Sequence, residues 1–265
     1  SVKVPPVSMP MRVANLRKAR NTRGASRDVA ARRSGGRTTA VACFAVTALA
    51  FAPSMVASGD WTWLGLRVAA AFLLGAVPFA WLVVRLAKGV DVRTIGSGNV
   101  GATNASRAFT GRAARLTAFL AIYLLDAAKG LGAAWLGGAT EGPSWPPVAC
   151  AAAAVLGHVF TPFLGGRGGK GVATATGALL LLDWRATVIA IAVFFVVRFA
   201  TRQVFLGSLA LGVALAIAVF ALEPAQAFGA RLPLTMLALA IALFLFWTHR
   251  SNLQRHFAAR AAHGS

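Results

Sequence analysis

The chain is expected to be an all-α polytopic membrane protein, with about seven core transmembrane helices plus an extra N-terminal span. Three observations carry that expectation. Only 13% of its residues are charged and its mean hydropathy is +0.68, whereas a soluble domain carries about a quarter charged residues. The missing charge corresponds to a series of long apolar runs, several reaching the roughly 18 residues that mark a transmembrane helix. The remaining cations are crowded onto alternate connections between those runs, the pattern that membrane insertion imposes.

From the N-terminus, residues 1–38 hold ten cations and a single acid, Asp28, amid Pro, Gly and Ser and without apolar periodicity. Such a segment has too little apolar surface to fold and is expected to be a disordered basic tail in the cytoplasm. Its charge suits nucleic acid as well as anionic lipid; beside so many apolar runs lipid is the expected partner, and no nucleic acid is expected. An apolar run near 39–57 makes residues 39–58 the extra span, because the basic region before it is too long for a signal peptide. The main membrane domain covers 62–250, with helices near 63–87, 113–137, 147–164, 171–182, 186–200, 204–222 and 231–248. Residues 251–265 are expected to be a C-terminal cytoplasmic tail. The segment LLLLDWRATV, residues 179–188, makes a tight polar turn between two short helices. Cys43 and Cys150 both sit in apolar runs, which argues against a structural disulfide or a zinc site. No cofactor is expected.

With the basic tail inside, one set of connections holds thirteen further cations, among them Arg93, Arg107, Lys170 and Arg250. The other set holds three, Arg67, Arg185 and Arg231, beside Asp60, Glu141, Asp183 and Glu223. Cationic loops are retained in the cytoplasm, so both termini are expected there.

The polar motifs all fall on that same side. The first is DVRTIGSGNVGATNASR, residues 91–107. Gly96, Gly98 and Gly101 match the G-x-G-x-x-G of dinucleotide-binding folds, but that fingerprint needs a strand before it and a sheet around it. Here apolar helices flank it. Set among Ser97, Asn99, Thr103 and Asn104, the glycines instead allow successive backbone N–H groups to converge on an anion, and Arg107 offers a bidentate phosphate contact. An ordinary glycine turn is the plainer alternative; the density of hydrogen-bonding side chains favours anion binding.

The second motif is GHVFTPFLGGRGGKGVATATG, residues 157–177. A Walker A loop needs Ser or Thr directly after its lysine and a glycine six residues before it; Gly171 and Leu164 stand there, so ATP is not supported. Generic phosphate binding is, since Gly168, Gly169 and Gly171 let the backbone approach a ligand whose charge Lys170 neutralises. A lysine anchoring the cytoplasmic end of a helix is the alternative, and the surrounding glycines favour the ligand.

Asp126 and Lys129 lie mid-span, three residues apart on one helix face. An isolated charge at the bilayer centre costs about 2.5–3.5 kcal/mol, so the pair is expected to face the bundle interior, either binding substrate or bracing the glycine loops. His158 and His249 each sit at the cytoplasmic end of a span, where a lone histidine is usually structural. His249 and Asn252 share a helix face within THRSNLQRHF, residues 248–257. Ser208, in TRQVFLGSL, has no base near it in sequence, so hydrogen bonding to a substrate is a better reading than nucleophilic attack.

Taken together, GSGNVGATN with Arg107, DAAKG, the GH to GGKGVATATG stretch, TRQVFLGSL and HRSNLQR resemble, in order and spacing, the acyl-phosphate:glycerol-3-phosphate acyltransferases, the PlsY family. The resemblance runs from about Leu64 to Arg255. It implies a bacterial inner-membrane enzyme with seven helices and cytoplasmic active-site loops. Such an enzyme acylates the 1-hydroxyl of glycerol 3-phosphate from an acyl phosphate, releasing phosphate. Carried over residue by residue, the loop Gly96–Asn104 with Arg107 and the loop around Lys170 would hold the two phosphates, and Ser208, His249 and Asn252 would position the glycerol phosphate. The resemblance also implies no acyl-enzyme and no metal, a substrate phosphate taking the hydroxyl proton. The chain departs from the family pattern at Ala76 (usually Ser), Thr161 (usually Pro), Gly166 (usually aromatic) and Phe205 (usually Ser), and lacks a C-terminal Gly-x-Glu. Those departures leave room for a different small acceptor. A non-enzymatic paralogue or an anion transporter is the remaining alternative, though no internal repeat supports transport.

Overall fold

A computed structural model describes residues 61–138 and 144–263 of the 265-residue chain. The expected basic tail and extra span, residues 1–58, lie outside the described residues. Helix α1 (Trp61–Ala76) and α2 (Phe79–Lys88) form one span interrupted at Val77-Pro78. A short 3-10 turn (Val92–Thr94), the four-residue α3 (Ala102–Ala105) and a second 3-10 turn (Ser106–Ala108) make up the first glycine loop. They lead to α4 (Arg112–Leu136) and α5 (Trp145–Val159). The second glycine loop then precedes α6 (Val172–Leu182), α7 (Trp184–Thr201), α8 (Val204–Leu222) and α9 (Leu232–His263).

Among the described residues, six spans are long and apolar enough to cross a membrane, and α6 is a seventh, short apolar helix. At 11 residues it reaches about 16 Å, half a bilayer core. It stops at Asp183, whose side chain accepts from the Ala186 N–H at 3.0 Å and so starts α7 at once. The single helix expected over 63–87 is broken, because Pro78 has no N–H to donate. The Val77 carbonyl freed at the break accepts from Lys129 Nζ at 2.9 Å. Residues 251–263, expected as a tail, continue α9 without interruption. Its 32 residues span about 48 Å, more than a bilayer core, so its last turns stand clear of the apolar layer.

The helices pack with their polar groups inward. Along α4 the exposed large apolar residues are Leu116, Leu120, Leu124, Leu125, Leu131 and Trp135, while Asp126 and Lys129 are buried. Close approaches run through glycine, as lipid-embedded helices require. A Cβ on Gly130 or Gly177 would overlap the facing backbone of α6 or α4, and one on Gly75 or Gly157 that of α5 or α1. At the end of the bundle marked by Asp183, Arg231 donates to Asp183, and Arg185 to Glu223 at 2.6 Å.

Candidate active site

The site forms where the two glycine loops meet. Gly96 and Gly98 adopt φ of 51° and 69°, which lets the first loop double back. Asn104 is buried inside that bend. Its Oδ1 accepts from the Ser97 N–H at 3.0 Å, and its Nδ2 donates to the carbonyls of Ile95 (2.9 Å), Asn99 (3.1 Å) and Val92 (3.2 Å). The Gly98 N–H goes to the Ile95 carbonyl at 2.9 Å. Two of the amides expected to converge on an anion are therefore engaged within the loop. Beside them the loop turns Ser97, Asn99, Thr103 and Arg107 to a cavity of about 670 Å³.

The second loop folds back onto the end of α5. Gly168 and Gly169 donate to the carbonyls of Val159 (3.0 Å) and His158 (3.1 Å). A Cβ at Gly168 would overlap the His158 carbonyl, and one at Gly169 the imidazole Nε2. These two glycines set the path of the loop, while Lys170 and Gly171 border the cavity. Lys170 Nζ donates to Asn252 Oδ1 at 2.5 Å, tying the loop to α9. Burial pulls the Lys170 amine from its usual 10.5 down to about 8, and the positive charge of Arg255 pushes the same way.

Deeper in the bundle, Lys129 Nζ lies 2.8 Å from Asp126 Oδ1 and 2.8 Å from His158 Nδ1. An ammonium only donates, so His158 Nδ1 accepts and its proton sits on Nε2, next to Gly169. Asp126 and His158 border the cavity; Lys129 and Gly98 do not.

The remaining wall comes from α8 and α9. His249 Nδ1 lies 2.9 Å from the Leu245 carbonyl. A carbonyl only accepts, so Nδ1 carries the proton and Nε2 is left as an acceptor. Ser208 Oγ donates to the Val204 carbonyl at 3.0 Å, which leaves its lone pairs available. Two acceptors thus stand on a wall whose outer part is cationic.

Residues 65–259 match the family model described as glycerol-3-phosphate acyltransferase. The chain belongs to that family. Within the glycerol-3-phosphate acyltransferases, it is 40% identical to a member from Anaeromyxobacter dehalogenans strain 2CP-C over 193 residues, 71% of this chain and 90% of that relative. It is 43% identical to one from Jannaschia sp. strain CCS1 over 194 residues, 72% and 88% of the two chains. Crystal structures of PlsY (YgiH), an integral membrane glycerol 3-phosphate acyltransferase, share the fold. The glycerol 3-phosphate form aligns with a TM-score of 0.66 and the lysophosphatidic acid form with 0.64, each at 30% identity over 74% of this chain and 93% of PlsY.

Two of the departures from the family pattern meet each other: Thr161 Oγ1 donates to the Ala76 carbonyl at 2.6 Å. Polar, charged and aromatic cavity residues that the sequence reading did not single out as binding residues are Arg202, Gln203, Phe205, Arg255, Phe119, Tyr123 and Phe194. A helical face extended past residue 250 from His249 and Asn252 reaches Arg255, the one available signal. Arg202 looks like any cation at a helix end, and the aromatics look like lipid-facing ones.

Proposed function

We propose that this chain transfers a fatty acyl group from acyl phosphate to the 1-hydroxyl of glycerol 3-phosphate, giving lysophosphatidic acid and inorganic phosphate. The observation that carries this reading is the single cavity bordered by both glycine loops, by Arg107 and Lys170, and by Ser208, His249 and Asn252. Both substrates are anions, and four cations border that cavity against one carboxylate, Asp126, itself beside Lys129. Acyl phosphate is a mixed anhydride, so placing the hydroxyl against its carbonyl and stabilising the departing phosphate suffices for transfer. The hydroxyl oxygen bonds to the acyl carbon, the carbon–oxygen bond to phosphate breaks, and the proton passes to a phosphate oxygen. Ser208 and the Nε2 of His249 accept hydrogen bonds from the glycerol hydroxyls, and Arg107 with Lys170 holds the phosphates. The Phe119–Tyr123 stack, with centroids 5.9 Å apart, and Phe194 suit the start of the acyl chain. The enzyme works in a bacterial cytoplasmic membrane with its loops and both termini inside, as the cation asymmetry supports.

The decisive assay supplies palmitoyl phosphate and labelled glycerol 3-phosphate to the purified chain in lipid. Lysophosphatidate is expected from the parent, and Lys170→Ala should lower kcat/KM by about tenfold to a hundredfold, the worth of one charged hydrogen bond. Turnover of Lys170→Ala within threefold of the parent sinks the phosphate role. Phe205, bordering the cavity near Ser208 where the family usually has a hydroxyl, favours a second reading in which another small acceptor is used. Palmitoyl phosphate consumption that glycerol 3-phosphate does not stimulate would be its mark.

A further inference from the structure

When a hydroxyl adds to an acyl phosphate, negative charge develops on the carbonyl oxygen, and a hydrogen-bond donor aimed there speeds the transfer. The deep polar cluster holds such a donor. An ammonium has three N–H groups, and Lys129 has three acceptors in reach: Asp126 Oδ1 at 2.8 Å, the Val77 carbonyl at 2.9 Å and His158 Nδ1 at 2.8 Å. His158 Nδ1 is therefore spent as an acceptor, and the ring proton is held on Nε2. With its proton in place, Nε2 is a donor and not a base. Among the described residues Nε2 makes no hydrogen bond, yet it is not one of the sealed polar atoms that lack a partner. The open space it meets is the cavity, which His158 borders. Gly169 keeps the atom uncovered, since a Cβ there would stand 2.0 Å from Nε2.

The cavity wall also runs in the order of an acyl phosphate's own parts. On α4, Phe119 and Tyr123 stack with centroids 5.9 Å apart, and Asp126 follows Tyr123 by three residues on the same face. His158 Nδ1 lies 3.5 Å from Asp126 Oδ1, and Gly169, packed on His158, leads directly to Lys170. Apolar rings, a neutral N–H and an ammonium thus succeed one another, as chain, carbonyl and phosphate do in the substrate. An uncharged imidazole suits the middle place, because it polarises the carbonyl without competing for the phosphates. The Asp126 carboxylate beside it is neutralised by Lys129.

We propose that the Nε2–H of His158 donates to the acyl carbonyl oxygen during transfer. This rests on the acyltransferase reading above. The hydroxyl oxygen bonds to the acyl carbon, and the carbonyl π pair moves onto oxygen, where Nε2–H binds it without giving up its proton. The pair returns as the carbon–oxygen bond to phosphate breaks, and the hydroxyl proton leaves on the phosphate.

Two variants separate this role from support of the fold. In His158→Asn the amide oxygen takes the place of Nδ1 and keeps the Lys129 contact, but nothing reaches the position of Nε2. In His158→Gln the longer side chain carries an amide N–H to that position. In lipid nanodiscs His158→Asn should lower kcat about a hundredfold to a thousandfold, the worth of one oxyanion donor. KM for palmitoyl phosphate and for glycerol 3-phosphate should each move less than about threefold, since the bond strengthens only in the transition state. His158→Gln should recover most of the rate. Parent-like kcat in His158→Asn, or equal losses in the two variants, overturns the assignment. A second readout needs no turnover: palmitoyl phosphate, isotopically labelled at its carbonyl carbon, is bound without acceptor and its carbonyl stretching band recorded. A donated hydrogen bond lowers that band, so it should lie lower with the parent than with His158→Asn or in empty nanodiscs; an equal band overturns the assignment. Should the parent form no lysophosphatidate, the acyltransferase reading fails by itself. The band then decides: lowered by His158 it keeps the donor, and unshifted it removes it.

Discussion

Lys170 is a half-buried amine that donates to an amide oxygen, that of Asn252. Burial disfavours its charged form, so its pKa falls to about 8. The sign of the consequence differs for stability and for binding. Between pH 8 and 10.5 the unfolded chain holds the lysine proton more tightly than the folded one, so this group makes the fold more stable as pH rises. Anion binding needs the proton, so kcat/KM for glycerol 3-phosphate should fall above pH 8, approaching tenfold per pH unit, because that ratio reports the free enzyme. A pH profile of the parent beside Lys170→Arg checks this. Arginine stays charged throughout, so the alkaline limb should vanish in whatever activity Lys170→Arg retains. A limb left in place belongs to another group. The neighbouring polar residues divide by what their atoms already do. Asn104 has both amide atoms on backbone groups and shapes the first loop, while Ser208 and His249 keep an acceptor in hand.

At the scale of elements, the buried polar cluster joins four of them. Lys129 on α4 reaches Asp126 on its own helix, His158 at the end of α5, and the Val77 carbonyl at the α1–α2 break. Through His158 it supports Gly169 and so the loop of Lys170. Of its members, Asp126 and His158 border the cavity, and Lys129 stitches the elements. Removing one partner of a buried ion pair costs about 3–5 kcal/mol, whereas replacing both by apolar residues of similar size is often neutral. Asp126→Ala should accordingly lower the thermal unfolding midpoint sharply in detergent. Asp126→Leu/Lys129→Met should recover most of the loss in stability but little of the activity, because the Val77 carbonyl keeps only its Phe79 N–H and His158 loses its lysine donor. Recovery of both stability and turnover in the double variant would show the cluster to be packing alone.

Across the whole molecule, what could be read from the sequence was periodicity, charge and motif. Apolar runs locate the spans within a few residues, and the three-residue spacing of Asp126 and Lys129 puts both on an inward face. Four features were illegible for physical reasons. The break at Val77-Pro78 lies within one continuous apolar run, and α9 carries on past its apolar stretch because helix continuation needs no hydrophobicity. Arg202 carries the same charge as a membrane anchor, and only its backbone and position distinguish it. Phe119, Tyr123 and Phe194 border the cavity, yet in sequence they match the lipid-facing Phe195 and Phe199. The orientation of the bundle is the whole-molecule property that the charge pattern addresses most directly. Arg167 lies in the second glycine loop, at the cavity end, and Gln226 in the connection after α8, near the Asp183 end; both are exposed. In a background with Cys43 and Cys150 changed to alanine, single cysteines at 167 and 226 can be probed with a membrane-impermeant maleimide on right-side-out vesicles. The cysteine at 226 should react in intact vesicles and that at 167 only after permeabilisation, since cationic loops stay inside. The reverse pattern would put the cavity outside and overturn the orientation read from the charge asymmetry.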